Sequence, residues 1–461
     1  MQQDSLILIL VPLTLVVAVV LSQLRHALPR KLTAVKSAVV KKLPSPWRQH
    51  DIFVTDRAAA HRLLVRGGAG GAFSNRPPSI VPSAVLSRQR HYNVNSAPYG
   101  LLWRAIRRNL AAELHPSRLH RHGAARRRAL RELVADLDAQ SGGADDLVQC
   151  FPSLSVFATL PAITGLIYRN RWKKLVALRK QQEMYLPLIA ARRGRRINCH
   201  DEPPAYVDSL VDLRIPDESV GRRKRRRRRL SDGELVGLCS EFLGASTEPA
   251  AAALQWIMAN LVKRPDAQDA LRREIDAAVG ADAEEVGEEV LGRLEYLNAV
   301  VMEGLRLHPT VPLVLRQVMA EDHVVLDDGK RASAGTSVLF PLELLARDKT
   351  AWSDPGEFRP ERFLAGGDGE GVSLVAAAGS AGEIRMIPFG AGRRMCPGMG
   401  VAVLHLGYFV ANLVREFEWV EADGDELAVD LRPHIGFFTV MKRPLHARLT
   451  PRRRREVTLS C

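Results

Sequence analysis

Read along its length, the chain opens on an apolar run and then settles into helices with one apolar and one charged face. Leu6 to Leu21 is apolar at every position but Thr14, with Pro12 as its helix breaker. Extended to Leu24, the run spans roughly 16 to 19 residues, the low end of the range for a membrane-spanning helix. Asp4 precedes it, and Arg25, Arg30, Lys31, Lys36, Lys41 and Lys42 follow. A secretory signal peptide carries its positive charge in front of the apolar run. Positive charge behind it predicts an uncleaved anchor with the bulk of the chain on the cytosolic side. A cleaved signal peptide and a buried core helix are the alternatives. Leu43-Pro44-Ser45-Pro46-Trp47 predicts a stiff linker, because each proline fixes its own φ and restricts the residue before it. The expected division is an anchor over 1–24, a basic and proline-bearing linker over 25–50, a folded body over 51–450 and a basic tail over 451–461.

Within the body, Asp51 to Thr55 has strand character, and Arg57 to Val65 turns helical before the glycine-rich break at Gly67 to Gly71. Helical spacing of apolar residues recurs from Leu101 to about Leu137 and from Leu147 to Ile197, interleaved with arginines that predict solvated faces. Ser231-Asp232-Gly233-Glu234 has capping-box spacing, and it starts a long helix over Leu235 to Val262 that Pro265 ends. Helical patterning continues to Leu307. From Val324 to Phe358 short β-prone runs alternate with turns, and an apolar helix follows over Val401 to Val414. The expected fold is mainly α with a smaller β part towards the C-terminal half.

Composition adds limits. The 461 residues are 46% hydrophobic and 25% charged, which allows a large buried core and excludes wholesale disorder. Lys and Arg total 66 against 51 Asp and Glu, a formal +15, which suits acidic partners. Arg222 to Arg229, eight basic residues in a row, predicts an exposed loop. No recognised nucleic-acid motif or aromatic interleaving accompanies it, so an anionic membrane surface is the preferred partner and nucleic acid is not expected. Five scattered cysteines, Cys150, Cys199, Cys239, Cys396 and Cys461, do not form a secreted disulfide framework and point to a reducing compartment.

The densest chemistry lies at Phe389-Gly390-Ala391-Gly392-Arg393-Arg394-Met395-Cys396-Pro397-Gly398. Its glycines let backbone approach a flat group closely, and backbone N–H donors with nearby cations favour a thiolate at Cys396. A buried cysteine in a glycine-rich turn is the alternative. Glu303 and Arg306 lie three apart on one helical face, and Trp103 and Arg107 lie four apart on another.

Phe389, Gly392, Arg394, Cys396 and Gly398 together match the haem-binding signature of the cytochrome P-450 superfamily. Glu303 with Arg306 resembles its Glu-x-x-Arg motif, Phe358 to Phe363 its Pro-Glu-Arg-Phe box, and Trp103 with Arg107 its Trp-x-x-x-Arg helix. The resemblance covers nearly the whole chain, and it is strongest to plant microsomal A-type members of family 89. It implies haem b with Cys396 as axial iron ligand, and propionate contacts from Arg394, Trp103, Arg107 and Arg316. It also implies a buried Glu303, Arg306 and Arg362 network. The implied enzyme is a monooxygenase anchored by a single pass in the endoplasmic reticulum membrane, with its catalytic domain cytosolic. It would act on a hydrophobic small molecule with NADPH electrons from a separate NADPH-cytochrome reductase. Substrate-facing residues are expected within Asn93 to Tyr99, Glu241 to Ala250 and Thr310 to Val314.

The chain departs from that pattern in two places. Between Pro46 and Asp51 the first helix and first strands of the family are missing, which would leave the strand at Ile52 with an unpaired edge. In the long helix, Ala245-Ser246-Thr247-Glu248-Pro249-Ala250 stands where the family has an acid followed by threonine. Glu248 keeps the acid. Pro249 has no hydroxyl and no N–H for the carbonyl of Ala245. Successive helical residues turn by about 100°, so Ser246 shares the face of Pro249, and Ser246 with Glu248 is the expected proton path. The other readings are a haem isomerase or dehydratase that does not activate oxygen, and a catalytically dead or truncated homologue.

Overall fold

The computed structural model describes residues 51–66, 73–77, 93–141, 147–149, 171–195, 205–217, 227–280, 283–319, 324–325, 331–375, 384–422 and 428–452. The expected anchor and linker over 1–50, and most of the tail over 451–461, lie outside them. No helix of the described residues is long and apolar enough to cross a membrane.

The order opens with β1 (Asp51–Phe53) and α1 (Arg57–His61), which runs into a π turn over Arg62–Arg66. Next come α2 (Leu101–Glu113), α3 (Gly123–Gln140), β2 (Leu147–Gln149), α4 (Arg171–Arg195) and α5 (Tyr206–Asp212). Then follow β3 (Arg214–Pro216), β4 (Arg227–Arg229), the central α6 (Asp232–Lys263), α7 (Pro265–Ala278) and α8 (Glu295–Leu307). The rest comprises β5 (Leu313–Gln317), β6 (Val324–Val325), β7 (Arg331–Ala332), β8 (Ser337–Pro341), α9 (Leu342–Ala346), α10 (Met399–Glu416), β9 (Phe417–Val420), β10 (Pro433–Ile435), β11 (Thr439–Met441) and β12 (His446–Pro451).

The expected capping box is present: Ser231 Oγ accepts from the Glu234 amide, and Glu234 Oε2 accepts from the Ser231 amide at 2.8 Å. That start satisfies donors at the N-terminus of α6. Downstream of Pro249 the helix is buried almost continuously from Ala252 to Val262. It packs with α3, α7, α8 and α10 in one core that contains Trp256, Leu271, Leu297 and Leu413. A second core lies beneath the sheet β1-β8-β5, in which β1 runs parallel to β8 and β5 antiparallel. Among the described residues β1 is an edge of that sheet, starting at Asp51 as the sequence pattern placed it and ending two residues sooner, at Phe53.

Three expectations need correction. Leu147 to Gln149 is a strand, paired antiparallel with β12, where helical spacing was read. Arg227 to Arg229, read as exposed loop, forms β4 against β3. There the Arg228 guanidinium donates to both Glu234 carboxylate oxygens at 2.7 and 2.8 Å, so one carboxylate offsets part of the repulsion. Leu342 to Ala346, in the region read as strands and turns, is helical and buries Leu342, Leu345 and Ala346.

His308, at the C-cap of α8, stacks flat on Trp256 with centroids 4.2 Å apart. Burial pushes its pKa from 6.5 down to about 3, with Arg347 and Arg306 adding repulsion. Between those two values the unfolded chain binds a proton that the folded chain refuses. Stability therefore falls as pH drops from 6.5 towards 3, and this residue adds no pH dependence above that window. His308→Phe keeps the stack and is expected to flatten the acid-side fall in the urea midpoint; an unchanged slope would contradict the assignment.

Candidate active site

The cysteine loop is built by its glycines. Gly390 and Gly392 have φ of +72° and +66°, the left-handed region that glycine enters without strain. A Cβ on Gly392 would collide with the carbonyl oxygen of Leu64, so the loop lies directly on the π turn. The Cys396 amide donates to Phe389 O at 2.8 Å and the Met395 amide to Gly392 O at 3.0 Å, closing the loop just before α10. Phe389 packs against the main core.

Cys396 is a free, exposed cysteine at the end of this loop. Burial pushes its thiol up, while the Gly398 amide, Arg107 and Arg76 pull it down by favouring the thiolate. Four arginines converge here: Arg76, Arg107, Arg316 and Arg394. Desolvation lowers the pKa of each, and Arg316 and Arg394 are pushed down to about 9 with their arginine neighbours adding to the effect. Glu241 is the carboxylate that opposes this at Arg76 and Arg394. Two buried and two half-buried cations near a thiol leave positive charge uncompensated, which an anionic ligand would relieve. An exposed thiol with guanidiniums close by fits a haem, whose iron takes a thiolate and whose propionates take Arg.

The sequence-derived residues fall into this picture unevenly. Arg394 is buried, donates to Ser74 O, Val94 O and Ala97 O at 2.7, 2.9 and 2.6 Å, and stacks 4.6 Å over Trp103. Arg107 donates to Met395 O, next to Cys396. Arg316, 2% exposed, donates to Leu315 O and Ala391 O. The Trp103 indole, expected to face a propionate, donates to Val94 O at 3.1 Å. Arg76 had no assigned role in the sequence, and Glu241, expected only at the start of a substrate-facing stretch, instead accepts from the Val94 and Asn95 amides. Glu241 lies two helical turns before Glu248, on its face of α6, which is the one signal that marks it.

α6 is exposed from Leu243 to Ser246, although it is buried further along. Exposed Leu313 and Phe437 come from β5 and from the β10–β11 hairpin. Glu248 Oε1 is buried without a hydrogen-bond partner, and burial raises that carboxyl's pKa. Ser246 and Thr247 hydroxyls both donate to Leu243 O, at 3.2 and 2.6 Å.

Glu303, Arg306 and Arg362 form the expected network. Arg306 Nε donates to Glu303 Oε2 at 2.6 Å and Nη2 to Oε1 at 2.7 Å, and Arg362 Nε reaches Oε1 at 3.1 Å. All three are sealed from solvent.

The family model for cytochrome P450 matches residues 144–447. Cytochrome P450 89A9 of Arabidopsis thaliana is 36% identical over 449 residues, covering 87% of this chain and 84% of that protein. Cytochrome P450 78A9, from the same plant, is 29% identical over 83% of this chain and 75% of its own length. Among solved structures, a zebra fish cytochrome P450 with abiraterone superposes with a TM-score of 0.67 at 22% identity, covering 87% of this chain and 93% of that one.

Proposed function

We propose that this chain, which belongs to the cytochrome P450 family and is a haem-thiolate monooxygenase of plant, family 89-like type, inserts one atom of dioxygen into a hydrophobic small molecule. Its electrons come from NADPH through a separate NADPH-cytochrome reductase. The observation that carries this reading is the set of arginines on the Cys396 loop: Arg107 donates to Met395 O, Arg316 donates to Ala391 O, Arg394 belongs to the loop, and Arg76 acts on the thiol beside Arg107. When haem is bound, Cys396 Sγ would be the group that binds its iron, and Arg76, Arg107, Arg316 and Arg394 would be the cations available to its propionates. Trp103 backs Arg394 from behind, and Phe389, Gly392 and Gly398 give the loop its close approach. Haem b, when bound, supplies the redox and oxygen chemistry that side chains cannot.

The remaining groups shape and protonate the cleft. Leu243, Leu313 and Phe437 give it an apolar wall that favours a hydrophobic ligand and excludes water. Glu248, with its pKa raised by burial, is suited to hold a proton at Oε1. Pro249 leaves the Ala245 carbonyl without its helical donor, so a water bound there would lie beside Ser246 and complete a proton path. On the electron-donor side, Arg393 and Arg104 lie 4.9 and 5.0 Å over the Tyr99 ring and offer positive charge to an acidic partner.

The test is reconstitution with a reductase in lipid. NADPH oxidation is expected only when both proteins are present, with a rate that falls as salt screens the encounter. Absence of NADPH oxidation in a preparation that shows the thiolate spectrum would overturn the monooxygenase reading.

The domain division belongs to the same proposal: a single-pass anchor over 1–24 in the endoplasmic reticulum, a linker over 25–50, a cytosolic catalytic body over 51–450 and a basic tail. Deleting Met1 to Leu24 is expected to move the protein from the membrane pellet towards the soluble fraction with its haem spectrum unchanged. Residual binding through Arg222 to Arg229 should wash off in high salt. Full release of the intact chain by salt alone would contradict the anchor.

A further inference from the structure

The peptide unit of Val94 is gripped from both sides. Its carbonyl accepts from Arg394 at 2.9 Å and from the Trp103 indole at 3.1 Å. Its amide donates to Glu241 Oε2 at 2.8 Å, and the next amide, Asn95, donates to Oε1 at 2.7 Å. A carboxylate that takes two successive backbone N–H groups holds that backbone in one orientation. The turn itself is closed by Asn93 and Ser96, which bond to each other's backbone and side chain, and by Ala97 N–H donating to Asn93 O at 3.0 Å. Ala97 O takes a further Arg394 nitrogen, so two of the three carbonyls that fix this guanidinium come from the turn. Asn93–Ala97 is thus a strap between α6 and the side chains of Arg394 and Trp103. Among the described contacts, Glu241 is its fastening to the central helix.

Resting on the haem-thiolate reading, we infer that Glu241 is a positioning residue for the cofactor cradle: its carboxylate fastens the strap to α6, and the strap orients Arg394 and Trp103. Without it, Arg394 keeps Ser74 O but loses the fixed placement of its other two acceptors. The anionic edge of the cofactor then meets a cation that is no longer pre-oriented. Glu241 also offsets the charge of Arg76 and Arg394, but a counter-ion role alone does not call for bonds to two adjacent amides.

The experiment measures transfer of haem from the ferric holoenzyme to excess apomyoglobin. Glu241→Gln keeps the volume and one acceptor oxygen, and Glu241→Asp keeps the charge and both acceptors on a shorter arm. Glu241→Gln is expected to release haem about tenfold faster, the loss of one charge-assisted hydrogen bond in the grip. Glu241→Asp should fall between Gln and the parent. Because Glu241 acts through Arg394, the double variant with Arg394→Lys should release haem little faster than Arg394→Lys alone. A Glu241 that merely stabilises α6 would give effects that multiply. Multiplying effects, or parental release from Glu241→Gln, would overturn the inference. If Glu241→Gln does not accumulate as holoenzyme, Glu241→Asp alone and paired with Arg394→Lys decides by the same criterion. A parent protein without the thiolate spectrum would instead sink the functional reading before any variant is compared.

Discussion

Replacing Cys396 by serine is expected to remove all measurable NADPH-dependent turnover together with the thiolate signature of the reduced carbon monoxide complex. The cleft offers Sγ a setting that a hydroxyl cannot use. Arg107, Arg76 and the Gly398 amide all favour the anionic form of residue 396, and serine does not ionise at neutral pH. Thiolate is also a soft, electron-rich ligand that promotes O–O cleavage, whereas a neutral hydroxyl binds iron weakly. Cys239 is no substitute. Burial pushes its thiol up to about 11, and it lies in the core formed by α2, α5 and the first turns of α6. Cys239→Ser should therefore keep both turnover and spectrum. Retention of the thiolate band by Cys396→Ser would contradict the assigned ligand.

Arg306→Ala is expected to be the most damaging substitution away from the cleft, costing about 3–5 kcal/mol as one partner of a buried ion pair is lost. Arg306 does more than pair with Glu303. Its Nη1 donates to Ala346 O and Pro355 O at 3.0 and 2.9 Å, and its guanidinium lies 5.2 Å over the Trp352 ring. One side chain thus ties α8 to α9 and to the loop that precedes Arg362. Alanine would leave Glu303, which has no solvent exposure, with only Arg362 Nε and the Arg359 amide. Against a typical total stability of about 5–15 kcal/mol this is a large fraction, and the thermal midpoint should fall on the order of 10 °C. Thermal unfolding of the holoenzyme checks it, and a midpoint within a degree or two of the parent would contradict the network's role.

The motif-bearing parts of this molecule were legible because their constraints are local. Ser231 and Glu234 cap a helix within one turn, Gly390 and Gly392 specify backbone conformation at their own positions, and Glu303 and Arg306 are neighbours on α8. Strand pairing was not local. Leu147 to Gln149 becomes a strand only because His446 to Arg448 lies beside it, and helical spacing in isolation pointed the other way. The arginine run concealed β4 because repulsion along the sequence was visible, while the compensating bonds from Glu234 and the pairing with β3 were not. Arg76 and Glu241 carry no spacing signature towards Cys396. They join the site through folding that brings the Ser74–Arg76 segment and the first third of α6 to one place. The Trp103 indole shows the converse: the residue was found from its motif, but its partner, Val94 O, was not.

The central claim is that Cys396, with the arginines around it, holds haem by thiolate ligation. It is tested most directly by reducing the purified parent protein, adding carbon monoxide and recording the difference spectrum. The account predicts the red-shifted Soret band of a thiolate-ligated ferrous complex, absent from Cys396→Ser. Bound haem that shows only the shorter-wavelength band of a neutral axial ligand, in protein that has not been denatured, would contradict it.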